Sequence, residues 1–193
     1  MNRIIKSSLS LSFAYFAGIS ALPAAVLITV DVSDPTAVVF TATAELSSRD
    51  DSSRNLLDGV SLMNFIPGTS NYGDIVSGSL APVGTPAFDF FNFIDAENTD
   101  FPTAGRDLSL FSSSGASFDM VFETAGPAFS GSTIVDFTDA AITLPTVGTV
   151  GEIRPGVGLL LNDSIGTFEV IPEPSSSLLL LSSICGYFLI RRR

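Results

Sequence analysis

The sequence predicts an all-β fold, an antiparallel β-sandwich of jelly-roll-like type, followed by a C-terminal transmembrane helix. Short runs of β-branched and aromatic residues alternate with Gly, Pro, Asn and Asp between residues 25 and 170. This alternation is typical of strands joined by tight turns. Sixteen phenylalanines and no tryptophan supply the bulk for an interior between sheets. An uncharged run near the C-terminus, closed by three arginines, predicts the helix.

The first 24 residues have the pattern of a secretory signal peptide. Arg3 and Lys6 form a short basic region, and the stretch 9–22 that follows carries no charge. Small residues lie beyond it, so we expect cleavage after Ala24, with cleavage after Ser20 as the alternative. If the peptide were retained, it would act as a second membrane anchor. The pattern predicts export.

Ten segments of the following domain, residues 25–170, have the composition of strands. In the second of them Val38, Phe40 and Ala42 alternate with Thr41 and Thr43, as expected for a strand with one buried face. The one helix candidate is Ser52 to Leu62, which Gly59 weakens. The predicted strands cover 26–32, 37–44, 59–66, 87–94, 107–111, 117–123, 133–137, 141–144, 158–161 and 166–171.

The phenylalanines are predicted to fill the core rather than to bind a ligand. Four of them cluster between Phe88 and Phe93, and Phe118 and Phe122 are spaced to share one inward-facing side of a strand. Sugar-binding platforms usually expose Trp or Tyr, whose polar atoms tolerate water. The sequence therefore favours packing as the role of these rings.

The charge of the domain is strongly negative. Between residues 25 and 171 there are four arginines and no lysine against 19 carboxylates, which leaves a net charge of −15. Such a surface repels nucleic acids and anionic membranes, so neither is expected as a ligand of the domain. It suits solubility, cations or neutral polymers. The domain has no cysteine, so it holds no disulfide.

The residue types of the usual catalytic sites are missing from the domain. The chain has no histidine, and its one cysteine and one lysine lie in the terminal segments. Histidine triads, thiol chemistry, Schiff bases and common zinc sites are therefore excluded. A glycan hydrolase that uses a pair of carboxylates remains an alternative. The favoured prediction is a protein that is not an enzyme.

A calcium site is the one cofactor that the sequence suggests. Asp95, Glu97, Asn98 and Asp100 fall within six residues after a predicted strand and offer hard oxygen ligands. Their spacing matches neither an EF-hand nor a glycine-rich repeat. A solvated acidic loop is the other interpretation, and no cofactor is the favoured prediction.

Residues 175–190 are predicted to span the membrane. These 16 residues carry no charge and would form a helix of about 24 Å, somewhat short for a bilayer core of about 30 Å. Arg191, Arg192 and Arg193 follow directly, and their long side chains can reach the headgroups. The positive-inside rule places these arginines in the cytoplasm and the domain outside. A buried C-terminal helix of a soluble domain is the alternative.

The segment 171–193 resembles a known sorting signal. Ile171-Pro172-Glu173-Pro174-Ser175-Ser176, a leucine-rich run and the terminal arginines are similar to the PEP-CTERM signal of Gram-negative bacteria that make exopolysaccharide. This resemblance implies handling by exosortase, a membrane-embedded cysteine transpeptidase that cleaves near the Pro-Glu-Pro motif. Pro172, Glu173 and Pro174 would then be a recognition site for another protein, and the three arginines a membrane stop.

These observations together predict an exported, non-catalytic protein. The precursor would be held in the inner membrane by its C-terminal helix, and exosortase-type sorting would then deliver the domain to the cell surface or extracellular matrix. A structural, adhesive or exopolysaccharide-associated role is expected there. The alternative is a small secreted hydrolase that acts on the matrix through two carboxylates.

Overall fold

The computed structural model describes residues 24–67, 72–94, 105–138, 142–156 and 161–172. Half of the described residues are in strands, which confirms the all-β prediction, and one 3-10 turn, Gly115–Ser117, lies between two of them. The strands within these ranges are β1 Val26–Asp31, β2 Val38–Ala42, β3 Asp51–Asn55, β4 Val60–Pro67, β5 Tyr72–Asp74, β6 Ser77–Gly78, β7 Ala81–Pro82, β8 Phe90–Ile94, β9 Gly105–Phe111, β10 Asp119–Phe122, β11 Phe129–Ser130, β12 Ser132–Val135, β13 Val150–Pro155 and β14 Gly166–Ile171.

Ten of these strands form one large curled sheet in the order β5-β8-β9-β4-β13-β14-β1-β2-β12-β6. The sheet is mixed rather than wholly antiparallel, because β1 and β14 run parallel at its centre. Parallel neighbours cannot be joined by a hairpin, and here the connection between them is nearly the whole domain. Two further pairs, β3 with β10 and β7 with β11, are antiparallel.

The two edges of the large sheet are joined by adjacent residues. Strands β5 and β6 stand at opposite ends of the strand order, yet only Ile75 and Val76 separate them in the chain. The Ile75 N–H donates to the carbonyl of Asp89, just before β8, and the Val76 N–H donates to Ile134 in β12, at 2.9 and 3.1 Å. We call this dipeptide the edge link. Because two residues span at most about 7 Å, the sheet must curl to bring its edges together.

Phenylalanine rings fill the interior of the curled sheet, as predicted. Phe137, just after β12, lies at its centre with 3% of its surface exposed, and its ring centroid is 5.1 to 6.5 Å from four others. Those four rings belong to Phe40, Phe65, Phe91 and Phe93. The prediction fails for Phe118, which is 44% exposed while Phe122 is buried. Phe118 lies in the cap of the 3-10 turn rather than in β10.

The strand assignment differs from the prediction in several places. The helix candidate Ser52 to Leu62 is not a helix, because the chain forms β3, a turn at 56–58 and the start of β4. Gly59 ends that turn at φ +65°, where a Cβ atom would lie 2.2 Å from the carbonyl oxygen of Leu110. Residues 142–144 are not a strand, and the predicted strand 158–161 lies outside the described residues except for its last residue. The short strands β5, β6, β7 and β11 were not predicted, and neither was the longer β13. Its sequence contains Gly151 and Pro155, residue types that are depleted in strands.

Candidate functional site

Most of the sequence-predicted site residues lie outside the described ranges. Pro172 is described, and it is exposed immediately after β14. Outside these ranges lie the predicted signal peptide apart from Ala24, the rest of the sorting motif (Glu173, Pro174) and the predicted helix 175–190. The arginine stop (Arg191, Arg192, Arg193) and the calcium candidates (Asp95, Glu97, Asn98, Asp100) lie outside them as well. Over the described ranges, no helix has the length and apolarity needed to cross a membrane. No group of three or more metal-binding side chains occurs in that same part.

An open groove of about 370 Å³ runs along the start of β3 and the end of β10. We call it the acidic groove, since Asp50, Asp51 and Glu123 line it together with Ser52 and residues 121–125. Asp50 Oδ1 accepts a hydrogen bond from the Thr124 N–H at 2.7 Å, which ties the two walls of the groove together. It brings several carboxylates to one surface, as a carboxylate-based hydrolase requires.

Asp51 in this groove has a structural set of partners. It is 8% exposed, and Asn162 Nδ2 donates to its two carboxylate oxygens at 3.1 and 2.9 Å. The N–H and hydroxyl of Ser53 donate to Oδ1 at 3.0 and 3.1 Å. Arg54 Nη2 in turn donates to Asn162 Oδ1 at 3.2 Å. The carboxylate therefore joins β3 to the segment before β14, and its oxygens are occupied by donors.

Three other aspartates use the local pattern seen at Asp51 and Ser53. In each case Oδ1 accepts from both the backbone N–H and the hydroxyl of a Ser or Thr two residues later, an arrangement typical of Asx turns. The pairs are Asp31 with Ser33, Asp34 with Thr36, and Asp136 with Thr138. The Thr138 hydroxyl, and then its N–H, lower the pKa of Asp136 below 3.8. The role of these aspartates as acceptors in local turns was not predicted, although the Asp-x-Ser/Thr spacing is visible in the sequence.

A second open groove, of about 350 Å³, lies over β4 and β13. Two extra residues in β4 interrupt its register with β9 between Leu62 and Ile66. Asn64 in this bulge has φ +55°, and its N–H donates to Oδ1 of the buried Asp107 at 2.6 Å. Glu152 and Arg154 form an ion pair at 2.7 Å beside it. The groove thus offers exposed polar side chains to solvent.

No family model matches this chain, and no curated protein or solved structure matches it either. The described surface combines two shallow polar grooves with carboxylates that cap turns and join strands. Such an arrangement stabilises the domain through many local hydrogen bonds.

Proposed function

We propose that this chain is an exported, non-catalytic protein of the cell surface or extracellular matrix, delivered by exosortase-type sorting. The observation that carries the proposal is the position of the strands relative to the two targeting segments. Strand β1 begins at Val26, two residues after the proposed cleavage site, and β14 ends at Ile171, directly before Pro172. A folded unit that fills the interval between two removable segments is what a sorted precursor requires.

The proposed architecture is a two-layered sandwich of jelly-roll-like type with a C-terminal membrane helix. Its support is the common core: Met120 and Phe122 of β10 and Phe129 of β11 belong to the same buried cluster as Phe40 and Phe168 of the large sheet. In this proposal the two short pairs form the second layer. Residues 175–190 form the helix that anchors the precursor in the inner membrane.

The proposed role outside the cell is structural, adhesive or exopolysaccharide-associated. The domain carries a net charge of −15 between residues 25 and 171, which favours solubility and repels polyanions. Asp50 and Asp51 in the acidic groove accept hydrogen bonds from the segments after β10 and before β14, which supports a non-catalytic surface. Neither a cofactor nor nucleic acid takes part in this proposal.

A carboxylate-dependent glycan hydrolase is the second candidate, because the acidic groove gathers Asp50, Asp51 and Glu123. Retaining glycosidases hold two carboxyl groups about 5 Å apart, and inverting enzymes hold them about 6.5–9.5 Å apart. Release of reducing sugars from host exopolysaccharide by the purified domain, abolished by Glu123→Gln, would favour this candidate over the first.

Fractionation of the native host, with mass spectrometry of the mature termini, tests the sorting proposal. We expect an N-terminus near Ala25 and a C-terminus near the Pro-Glu-Pro motif, in the surface or medium fraction, and only when exosortase is present. An intact Arg193 in the inner membrane, unchanged by loss of exosortase, would instead indicate a plain C-terminal anchor and overturn the proposal.

A further inference from the structure

The strand that precedes the sorting motif lies at the centre of the large sheet. β14 pairs with β1 on one side and with β13 on the other. Pairing continues to the end of the strand, since Ile171 lies opposite Asp31 and Val170 exchanges backbone hydrogen bonds with Gly148 and Thr149 at 2.7 and 2.8 Å. Both hydrogen-bonding edges of the chain just before Pro172 are therefore occupied.

The side chains of β14 are also anchored in the core. Phe168 and Val170 have 0% of their surface exposed, and the Phe168 ring lies 5.6 Å from Phe65. Withdrawing this strand would expose both side chains and break two ladders. Opening of a central strand is a rare event in a folded protein.

Extended peptides are commonly bound by adding a strand to the partner's sheet, and this mode of binding requires backbone with a free edge. In this chain the upstream flank of the motif offers no such edge. The downstream side is equally confined, since residues 172–174 span at most about 11 Å before the uncharged run begins. With residues 175–190 in the membrane, as proposed, the folded domain would begin within about 11 Å of the bilayer, which would leave little room for a membrane-embedded enzyme.

We propose that pairing of β14 and processing at the Pro-Glu-Pro motif exclude each other. The sorting enzyme then acts on the precursor before β14 joins the sheet, or waits until the strand opens. The inference rests on the proposed function, because it assumes that an enzyme cleaves near this motif. Under this proposal, folding of the domain controls when the precursor is processed, and the sorting signal alone provides no such control.

The test uses the full-length precursor, purified in folded form from a host without exosortase and then added to membranes that contain the enzyme. Folding is checked first by resistance to a soluble protease. An insertion of about eight Gly and Ser residues between Ile171 and Pro172 adds roughly 16 Å of flexible chain. We expect this variant to be processed at least about tenfold faster than the unmodified precursor, because β14 no longer has to open.

A matched control carries the same insertion between Val83 and Gly84, which lie in an exposed turn. There is open space at this site, since a Cβ atom added at Gly84 would have no other atom within 4 Å. This control should be processed at the unmodified rate. If the two insertions give equal rates, the inference is wrong. In a third variant, Pro172, Glu173 and Pro174 are replaced by Ala. This variant distinguishes failure of the present inference from failure of the sorting proposal, because its unchanged processing would overturn the sorting proposal itself.

Discussion

Four aspartates in this domain accept hydrogen bonds from the hydroxyl and backbone N–H of a nearby residue rather than from a basic side chain. Asp31, Asp34, Asp51 and Asp136 each bind a Ser or Thr two residues later. Between residues 25 and 171 only four arginines are available, so a carboxylate-rich chain has to find its partners elsewhere. The four short-range pairs could have been found in the sequence. The bond between Asp51 and Asn162 could not, since 111 positions separate them.

Thr138→Val should raise the pKa of Asp136 toward 3.8, because it removes the hydroxyl that contributes most to the lowering. A lowered pKa means that the interaction stabilises the fold above the unfolded pKa and is lost as the pH falls through the folded value. The variant should thus be less sensitive to acid. Carboxyl NMR titration measures the shift, and Thr36→Val serves as the control that leaves Asp136 unchanged.

Asn162→Ala should destabilise the domain by about 1–3 kcal/mol, because it removes donors from a buried carboxylate. The neighbouring change Asp163→Ala is the matched control. Its side chain is 88% exposed in an ion pair with Arg49, and such surface pairs contribute about 0–1 kcal/mol. Urea unfolding of both variants measures the difference. Equal losses would show that Asn162 does not hold Asp51 in solution.

At the scale of elements, the bulge in β4 depends on one buried acceptor. Asp107 is 2% exposed and accepts from the Asn64 N–H. Asp107→Ala should therefore cost about 1–3 kcal/mol, since it leaves a backbone donor without this partner. Asp107→Asn retains an oxygen at the same position and should cost less. Chemical denaturation compares the two, and an equal cost would contradict the role of the acceptor.

The elements differ in how far their sequences define them. β1, β2, β9 and β14 follow predicted apolar or alternating runs, because one or both of their faces are buried. β3 has the sequence Asp-Ser-Ser-Arg-Asn and no apolar residue, so it is held as a strand by pairing with β10 and by polar bonds to Asn162. Tertiary contacts of this kind leave no periodic pattern in the sequence.

At the scale of the whole molecule, the edge link of Ile75 and Val76 keeps the sheet curled. Val76→Pro removes the hydrogen bond to Ile134 and should destabilise the protein by at least about 1 kcal/mol. Because this link joins both edges, amide hydrogen exchange should accelerate in β8 and β12 together. Acceleration in one edge alone would contradict the joining role.

Val147→Pro is the matched control for this substitution. Val147 and Gly148 occupy a turn closed by Thr149 N–H to the carbonyl of Thr146 at 3.0 Å, and Gly148 has φ +84°. This geometry is that of a type II turn, in which proline is favoured at the position of Val147. The control should therefore be neutral or stabilising by up to about 1 kcal/mol.

The class of fold was predictable from composition, whereas the strand order was not. Apolar runs and turn residues show where strands form, but no local signal indicates that β5 and β6, neighbours in the chain, stand at opposite edges of the sheet. The parallel pair β1–β14 is equally hidden, because it depends on how all intervening strands pack. The acidic groove likewise arises where β3, which lies largely in the stretch named as a helix candidate, stands beside β10.

The parallel contact between β1 and β14 also sets a time for folding. The Thr167 N–H donates to the carbonyl of Ala25, 142 positions away, so the first strand lacks one neighbour until nearly the whole domain has been made. At about 5–20 residues per second, synthesis of that stretch takes on the order of 10 s. During this interval the apolar residues Leu27, Ile28 and Val30, which are buried in the finished domain, have no completed sheet to enter.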